Sequence, residues 1–429
     1  MGKWSLVIGA TVLLTALAPG GSSAAPPGCA ATGWVGSWMA APSDSFGAVD
    51  PALVPQLSVS DQTYRVLITP HLGGAELRVH LTNRTRPVPM AVGRVTIATS
   101  AGGAAVRPES LREVTFGGSA SVILAPGADL VSDPVDLSVD GFTPLAVSVH
   151  LPGFAVLPTE HFNGNATSYY SLPFAGDSTA DPSGAGLPLR TTAVPLVSGL
   201  DVRAPGAAGA IVAFGDSITD GYVSANFLGT PQEPGVVDRN VRYSDFLQRR
   251  LDAAGKPFAV LNAGISGNRV TRDGFIPQFG PAAVDRVERD VIGKAGVTDV
   301  IVLEGINDLG IPIGASYEQI VAGYTTLIER LRAAGLAVHL GTILPASNAL
   351  ADGMLTLPYS NPVRQRINAW IRAQRLSDSV VDFDAALRDP ANPDVLDPRF
   401  AGPDNLHPNA AGYQAMAAAI DLDAFVGCR

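Results

Sequence analysis

A serine, an aspartate and a histidine stand in sequence contexts that suit covalent catalysis. Ser217 follows the apolar run 210–214 through a Gly-Asp step, as expected where a buried strand ends at the edge of a sheet. His407 lies far downstream, with Asp404 three residues before it. A serine hydroxyl becomes a good nucleophile when a histidine takes its proton, and a carboxylate orients that histidine. The three residues predict acyl-transfer chemistry of the serine-hydrolase type.

The elements that must position these residues lie in the second half of the chain. From about residue 209, apolar runs typical of buried strands alternate with helical patterns. This alternation predicts an α/β domain over residues 205–429, with a doubly wound, mostly parallel five-stranded sheet. Reactive groups in such folds collect at the carboxyl ends of the strands. The strands are predicted at 210–214, 258–262, 299–303, 337–343 and 380–383, and the helices at 243–254, 284–294, 317–334, 362–374 and 410–420.

Two further motifs fall at predicted strand ends, namely Asn-Ala-Gly ending at Gly264 and Gly-Ile-Asn-Asp containing Asn307. With the Gly-Asp-Ser and Asp-Asn-Leu-His segments, in this order, they resemble the SGNH hydrolases, also called the GDSL family. The resemblance covers residues 211–421, about half of the chain, and implies a flavodoxin-like SGNH fold. It implies Ser217 as nucleophile, His407 as general base and Asp404 as the acid that orients it. The implied oxyanion hole combines the N–H groups of Ser217 and Gly264 with the side-chain amide of Asn307.

Each of these residues also has a structural interpretation. Ser217 suits the N-terminus of a helix, Asn307 suits a turn, and His407 suits a surface loop. Asp308 is expected to hold its loop, and it is the reserve candidate for orienting His407 if Asp404 only caps a local turn. The chain contains no Gly-x-Ser-x-Gly motif, which argues against the nucleophile elbow of α/β-hydrolases.

The longer strings 262–269 and 302–309 resemble a secreted bacterial subfamily grouped with xylan and aryl esterases. Such proteins often carry an N-terminal β-rich domain. Two residues in these strings, Asn268 and Arg269, either border the pocket or stabilise a loop. Glu304, directly before the Gly-Ile-Asn-Asp motif, departs from the family pattern. It is expected to be buried at the strand end or paired with an arginine.

An all-β domain, a sandwich or jelly-roll-like fold, is predicted over residues 30–204. Short runs with strand character are separated there by turn residues, without long helical periodicity. Segments 63–69 and 76–82 flank Gly73 and Gly74, and this pattern predicts a hairpin. Other strands are predicted at 93–99, 121–124 and 145–151.

The first 25 residues have the pattern of a cleaved secretion signal. Lys3 precedes the apolar stretch 6–18, and small residues follow for cleavage after Ala24 or Ala25. A stretch of about 13 residues is too short to cross a hydrocarbon core of about 30 Å. The protein is therefore expected to be extracellular, without stable membrane insertion. In that setting the only cysteines, Cys29 and Cys428, form a disulfide or remain two free thiols near the chain ends.

Composition and charge exclude several classes of protein. The chain of 429 residues is 46% hydrophobic with a formal net charge of −10 and no lysine or arginine run, which argues against a nucleic-acid partner. No cofactor and no metal are expected. A Gly-rich phosphate loop after a strand is missing, and the six histidines are scattered along the sequence.

The sequence thus predicts a secreted serine esterase that removes short acyl groups, above all acetyl, from a small-molecule or polysaccharide ester through an acyl-serine intermediate. A lipase, an aryl esterase or an acyltransferase would use the same three residues. A more distant alternative is a carbohydrate-binding protein with an inactive hydrolase domain. Its sugar-stacking candidates, which also suit a sandwich core, are Trp34, Trp38, Tyr169 and Tyr170.

Overall fold

The computed structural model describes residues 33–44, 58–224, 235–310, 314–349 and 360–428. The predicted signal peptide and Cys29 lie outside these ranges, so export and the disulfide with Cys428 remain predictions. Among the described residues, no helix combines the length and apolar character needed to span a membrane.

The first half of the chain consists of short antiparallel strands. They are β1 (Trp34–Met39), β2 (Ser58–Ile68), β3 (Leu77–Thr82), β4 (Met90–Val92), β5 (Arg94–Gly102), β6 (Ala105–Val106), β7 (Arg112–Val114), β8 (Val122–Leu124), β9 (Asp129–Val131), β10 (Leu145–Val156), β11 (Glu160–His161), β12 (Ser168–Tyr170), β13 (Leu189–Thr191), β14 (Val194–Pro195) and β15 (Val197–Arg203). One sheet has the order β1-β15-β3-β9, and a larger sheet has the order β13-β12-β2-β10-β5-β6, with β7 also beside β5. Aliphatic side chains from both sheets share one core. The predicted antiparallel β-rich region is confirmed.

The predicted hairpin around Gly73 and Gly74 is wrong. Strand β2 pairs with β10 and β12, whereas β3 pairs with β15 and β9 in the other sheet. The two glycines instead allow close backbone approach. A Cβ on Gly73 would lie 2.5 Å from the carbonyl oxygen of Val139, and one on Gly74 would lie 2.9 Å from that of Arg203.

The second half is the predicted α/β fold. Its strands are β16 (Gly209–Gly215), β17 (Phe258–Gly264), β18 (Val297–Leu303), β19 (Ala337–Gly341) and β20 (Ser379–Val381). They form a parallel sheet in the order β17-β16-β18-β19-β20, the flavodoxin-like arrangement. Its helices are α1 (Ser217–Asp220), α2 (Tyr243–Ala253), α3 (Ala283–Val287), α4 (Tyr317–Ala333), α5 (Ser360–Ala373), α6 (Phe383–Leu387) and α7 (Ala410–Ala418). Short 3₁₀ turns lie at Pro277–Phe279, Asn307–Leu309 and Leu422–Ala424, and another lies in the first half at Pro108–Ser110. The predicted fold class is confirmed.

The helix predicted at 284–294 changes its winding partway. Helix α3 passes into a π-helical turn at Glu288–Ile292. Asp290 lies in this turn, fully buried, and forms ion pairs with Arg286 and Arg84. π turns frequently occur at functional sites, and this one closely follows Arg286, which donates to the carbonyl oxygen of Gly215 at the end of β16.

Strand β1 joins the two halves of the chain. Val35 and Met39 belong to the same hydrophobic cluster as strand β16, which lies between β17 and β18. The N–H of Gly36 donates to the carbonyl oxygen of Ala295 at 2.8 Å, and a Cβ at Gly36 would lie 2.8 Å from the Leu261 side chain. The β-rich region therefore packs directly against the α/β sheet.

Candidate active site

The end of β16 delivers Ser217 to the edge of the sheet. Every residue of β16 is buried, and the strand ends at Gly215, where a Cβ would lie 2.2 Å from the carbonyl oxygen of Leu303. Asp216 caps the next helix by accepting the N–H of Ile218 at 2.9 Å. Ser217 is thus the first residue of helix α1. Asp216, not Ser217, provides the side-chain cap at this end.

Ser217, His407 and Asp404 form a continuous hydrogen-bonded chain. His407 Nε2 lies 2.8 Å from Ser217 Oγ, and its Nδ1 lies 2.7 Å from Asp404 Oδ2. Because a carboxylate only accepts hydrogen bonds, Nδ1 carries the proton and Nε2 presents its lone pair to the serine hydroxyl. This is the tautomer that a general base requires. His407 is only 7% exposed, so it is not a surface-loop histidine.

Four donors surround the carboxylate of Asp404. Its Oδ1 accepts the backbone N–H groups of Leu406 and His407, each at 3.0 Å, and its Oδ2 accepts the His407 ring and the hydroxyl of Ser224. Although burial works in the opposite direction, the hydrogen bond and charge of His407 and the Ser224 hydroxyl hold the pKa of Asp404 well below its usual range. Asp404 therefore stays ionised beside the imidazole.

Ser224 and Tyr222, which the sequence did not predict as site residues, complete this arrangement. The buried Ser224 donates to Asp404, and the Tyr222 ring lies 4.6 Å from the His407 ring, tilted by 52°. Tyr222 and Ser224 closely follow α1, and no local pattern in the sequence marks them. Only the fold brings the end of this segment against the distant Asp404 loop.

The structure argues against Gly264 as an oxyanion donor. Its N–H already donates to Asn262 Oδ1 at 3.0 Å. Its Cα faces helix α1, because a Cβ there would lie 2.2 Å from the backbone nitrogen of Asp220. Gly264 is therefore required for the close packing of β17 on α1, and its N–H is occupied by the Asn262 side chain.

Gly267, three residues further on, is a better candidate. It occupies a tight turn closed by the hydrogen bond from Asn268 N to Ile265 O at 3.0 Å, with φ of +78°. Within the described part of the chain, its N–H has no hydrogen-bond partner, and the same holds for the N–H of Ser217 at the start of α1. The positive φ required at this turn position is the physical reason for glycine there.

Asn307 meets the turn that carries Gly267. Its side-chain Nδ2 donates to the carbonyl oxygen of Asn268 at 2.9 Å, which leaves its second N–H available. Asp308 accepts the backbone N–H groups of Val270 and Thr271, at 2.8 and 3.3 Å, and so holds the segment that follows the turn. Asp308 makes no hydrogen bond to His407; that position belongs to Asp404.

Arg286 is the buried cation behind the site. It donates to the carbonyl oxygens of Gly215 and Ala263 and to Asn268 Oδ1, each at 2.8 Å, and its guanidinium lies 4.1 Å from the centre of the Phe214 ring. It therefore ties together the strand before Ser217, the strand before Gly264 and the turn that follows. Nothing in the local sequence distinguishes Arg286 from a surface arginine.

Glu304 is both buried at the strand end and paired with an arginine, since its Oε1 lies 3.2 Å from Arg286. Burial raises the pKa of Glu304 well above its ordinary value, with a further contribution from the charge of Asp216. Burial likewise raises the pKa of Asp216 to about 7, against the hydrogen bond from Ile218. Arg286 is thus the counter-charge for a group of buried carboxyls close to Ser217 in the chain and in the fold.

The remaining predicted residues have structural surroundings. Asn268 donates to the carbonyl oxygens of Phe279 and Pro281, each at 2.8 Å, so it stabilises its loop. The guanidinium of Arg269 lies 5.9 Å from the Phe275 ring. Tyr170 is buried and stacks on Tyr64 with ring centres 5.5 Å apart, as a core aromatic would. In the described ranges, no three His, Cys, Asp or Glu side chains converge to hold a metal ion.

A protein-family match covers most of the α/β half of the chain. Residues 213–415 match the GDSL-like Lipase/Acylhydrolase family. Similar solved structures include an aryl esterase from M. smegmatis (16% identity, TM-score 0.38, 49% of this chain and 95% of that chain) and a carbohydrate acetylesterase from Sinorhizobium meliloti (14%, 0.37, 49% and 95%). A lipase/acylhydrolase from Enterococcus faecalis has 22% identity and a TM-score of 0.35, over 49% of this chain and 92% of that chain. No curated protein matches the chain significantly in sequence.

Proposed function

Since residues 213–415 belong to the GDSL-like lipase/acylhydrolase family of carboxylic-ester hydrolases, we propose that the chain cleaves esters through a covalent acyl-serine intermediate on Ser217. The observation that carries this proposal is the hydrogen-bonded chain from Ser217 through His407 to Asp404. A base within 2.8 Å of the nucleophile, itself held by an ionised carboxylate, is the arrangement that activates a serine hydroxyl.

Acylation begins when Ser217 Oγ forms a bond to the ester carbonyl carbon. Its proton moves to His407 Nε2, and the carbonyl oxygen becomes an oxyanion. Asp404 stabilises the resulting imidazolium without taking its proton, because its own pKa is held low. The tetrahedral intermediate then collapses, the bond to the alcohol oxygen breaks, and that oxygen leaves with the proton from His407.

Deacylation repeats these steps with water as the nucleophile. His407 accepts a proton from water as the water oxygen bonds to the acyl carbon. When the intermediate collapses, Ser217 Oγ takes that proton back and the free acid leaves. With a sugar hydroxyl in place of water, the enzyme would be an acyltransferase. His407 can take the proton of either hydroxyl while its oxygen bonds to the acyl carbon.

The oxyanion is stabilised, in this proposal, by the N–H groups of Ser217 and Gly267 and by the side chain of Asn307. The two backbone groups have no other partner in the described ranges, and Asn307 has one N–H to spare. Gly267 replaces Gly264, whose N–H is occupied by Asn262. Each such donor typically contributes about 2.7–4 kcal/mol to lowering the barrier.

We favour short acyl groups, above all acetyl, on a small-molecule or polysaccharide ester as the substrate. The support is the likeness of segments 262–269 and 302–309 to the xylan-esterase and aryl-esterase subfamily. A lipase with a preference for longer chains remains the second candidate. An inactive, carbohydrate-binding protein is a poorer one, because Tyr170 is a core residue and the three catalytic side chains are intact.

Replacement of the nucleophile tests this proposal. We expect Ser217→Ala to lower turnover of p-nitrophenyl acetate by at least about 10⁴-fold without a change in melting temperature. Ser198→Ala, at a buried serine of β15 away from the site, is the matched control and should retain full activity. The wild type, but not Ser217→Ala, should gain the mass of one acyl group when it is quenched during turnover. Turnover by Ser217→Ala within tenfold of wild type would rule the mechanism out.

A substrate panel separates the finer alternatives. Hydrolysis should fall steeply from acetyl to butyryl to octanoyl p-nitrophenyl esters, and acetylated xylan should release acetate. A rate that rises with chain length would favour the lipase. Ester products formed with excess sugar acceptor would identify an acyltransferase.

Export of the protein is part of the proposal and is supported by the pattern of residues 1–25, with Lys3 before the apolar stretch 6–18. The N-terminal sequence of protein recovered from the culture medium tests it. Cleavage after Ala24 or Ala25 is expected, and an intact N-terminus on cell-retained protein would contradict it.

A further inference from the structure

We propose that His161, a residue of the β-rich region, positions the oxyanion turn of the hydrolase fold. The oxyanion turn is here residues 265–268, which include Gly267. This inference rests on the proposed function, since it takes the Gly267 N–H to be an oxyanion donor. It assigns to the β-rich region a direct part in setting the rate of the reaction.

A short chain of hydrogen bonds connects the two parts. His161 Nε2 lies 3.0 Å from Asp220 Oδ1, and Asp220 Oδ2 accepts the hydroxyl of Ser266 at 2.8 Å. Ser266 directly precedes Gly267 in the oxyanion turn. Asp220 is the last residue of α1, the helix that begins with Ser217. A residue of the nucleophile's own helix therefore binds the turn of the oxyanion donor, and His161 holds the carboxylate that does so.

The surroundings of His161 favour an ion pair with Asp220. Its Nδ1 lies 2.9 Å from the carbonyl oxygen of Ala41, and its Nε2 also lies 3.2 Å from that of Asn163. Both ring nitrogens thus face oxygen atoms that only accept, so both must donate and the ring is an imidazolium. Although burial alone would lower it, the Asp220 carboxylate raises the pKa of His161, while the nearby Arg242 opposes this.

Burial makes this ion pair costly to break. His161 is 5% exposed and Asp220 is 1% exposed. Removal of the imidazolium would leave a buried carboxylate with one partner fewer, and such a group moves or takes up a proton. Either response changes the contact from Asp220 to Ser266, and with it the placement of the Gly267 N–H.

His71 provides a matched comparison, because it too lies where the β-rich region packs against the α/β half. It also comes from the β-rich region, with Nε2 2.9 Å from Asp245 Oδ1 and Nδ1 2.7 Å from the carbonyl oxygen of Val260. Both histidines line one polar cavity of about 30 Å³ between the two halves. Asp245, however, lies on α2, which carries none of the reacting groups. Both histidines are buried, with Nε2 against an aspartate and Nδ1 against a carbonyl oxygen. Of the two aspartates, Asp220 is the one that binds the oxyanion turn.

Asparagine and glutamine replacements separate the two bonds that each ring makes. Asparagine places its amide near the position of Nδ1, and glutamine near that of Nε2. His161→Asn should therefore lose the contact with Asp220 and retain the one with Ala41, whereas His161→Gln should do the reverse. His71→Asn makes the equivalent change at Asp245. The three variants are compared with wild type in melting temperature and in kcat and KM for p-nitrophenyl acetate.

We expect kcat of His161→Asn to fall about 10- to 100-fold with KM changed less than threefold, since a misplacement of about 1 Å costs about 10²-fold. His161→Gln should recover most of the loss. His71→Asn should keep kcat within twofold of wild type even where its melting temperature falls as much. The proposal is overturned if His161→Asn and His71→Asn lose kcat equally, or if His161→Asn keeps wild-type kcat.

A double replacement tests the route through Ser266. If His161 acts by way of Asp220 and Ser266, then Ser266→Ala combined with His161→Asn should cost no more in kcat than the larger single effect. Independent, multiplying losses would place the influence of His161 elsewhere. Ser217→Ala reports separately on the proposed function, because its loss of turnover does not depend on how His161→Asn behaves.

Discussion

Replacement of Asp404 by asparagine should change the tautomer of His407 while it keeps the shape of the site. The carboxylate accepts from four donors: the N–H groups of Leu406 and His407 on Oδ1, and the His407 ring and Ser224 on Oδ2. An asparagine carbonyl can still accept both backbone groups. Its NH₂ group can donate to the Ser224 hydroxyl and to His407 Nδ1, so every polar group remains paired.

This pairing is satisfied only if His407 Nδ1 loses its proton and Nε2 gains one. Nε2, 2.8 Å from Ser217 Oγ, would then donate to the nucleophile and could no longer accept its proton. A change of tautomer of this kind costs about 10⁴-fold in kcat, which is about 5 kcal/mol in barrier height. The free energy of unfolding should fall by only about 1–2 kcal/mol, because charged hydrogen bonds are replaced by neutral ones.

The assay compares kcat for p-nitrophenyl acetate with the free energy of unfolding in urea for Asp404→Asn and Asp404→Ala. Asp404→Ala leaves the N–H groups of Leu406 and His407 without their partner, so it should be the less stable variant. An Asp404→Asn variant that keeps more than about a tenth of wild-type kcat would contradict the change of tautomer. So would a loss of rate that merely follows a loss of folded protein.

Two further replacements test the oxyanion donor and the buried cation. Asn307→Ala should lower kcat about 10²–10³-fold with little change in KM, and a steady-state assay in which KM alone rises would assign Asn307 to substrate binding. Arg286→Met should lower the free energy of unfolding by about 3–5 kcal/mol, measured in urea at pH 8. The loss should be smaller at pH 5. Glu304 is a buried acid with a raised pKa, so the destabilisation it causes grows as the pH rises above its ordinary pKa. Equal losses at both pH values would show that Glu304 is not the group left without a partner.

The parallel sheet was predictable because each of its strands is a local apolar run. All seven residues of β16 and all seven of β18 are buried, as both faces of such a strand require. Five strands of the β-rich region, corresponding to β2, β3, β5, β8 and β10, were also predicted from local patterns, but the other strands and the pairing were not. Strand β2 pairs with β10, some 80 residues further along the chain, and no short-range pattern specifies that choice. The hairpin at Gly73 and Gly74 was the wrong inference for this reason.

The choice between Gly264 and Gly267 as the proposed oxyanion donor likewise depends on packing that no short-range sequence pattern specifies. The segment 262–267 contains two glycines, and the first follows a strand directly, as an oxyanion donor was expected to do. Only the packing distinguishes them: Gly264 lies against the backbone of α1, whereas Gly267 occupies a turn that requires positive φ. The glycine pair was visible in the sequence, but the assignment depended on Asn262 occupying the Gly264 N–H.

The oxyanion turn is held from three sides by residues far apart in the chain. Arg286 binds the Asn268 side chain, Asp308 binds the backbone that follows, and Asp220 binds Ser266. Two of these supports are connected to the β-rich region: Arg286 through Asp290 to Arg84, and Asp220 directly to His161. A hydrolase half without the β-rich region would leave Asp290 and Asp220 each with one cationic partner fewer. The β-rich region is therefore expected to be needed for turnover as well as for stability.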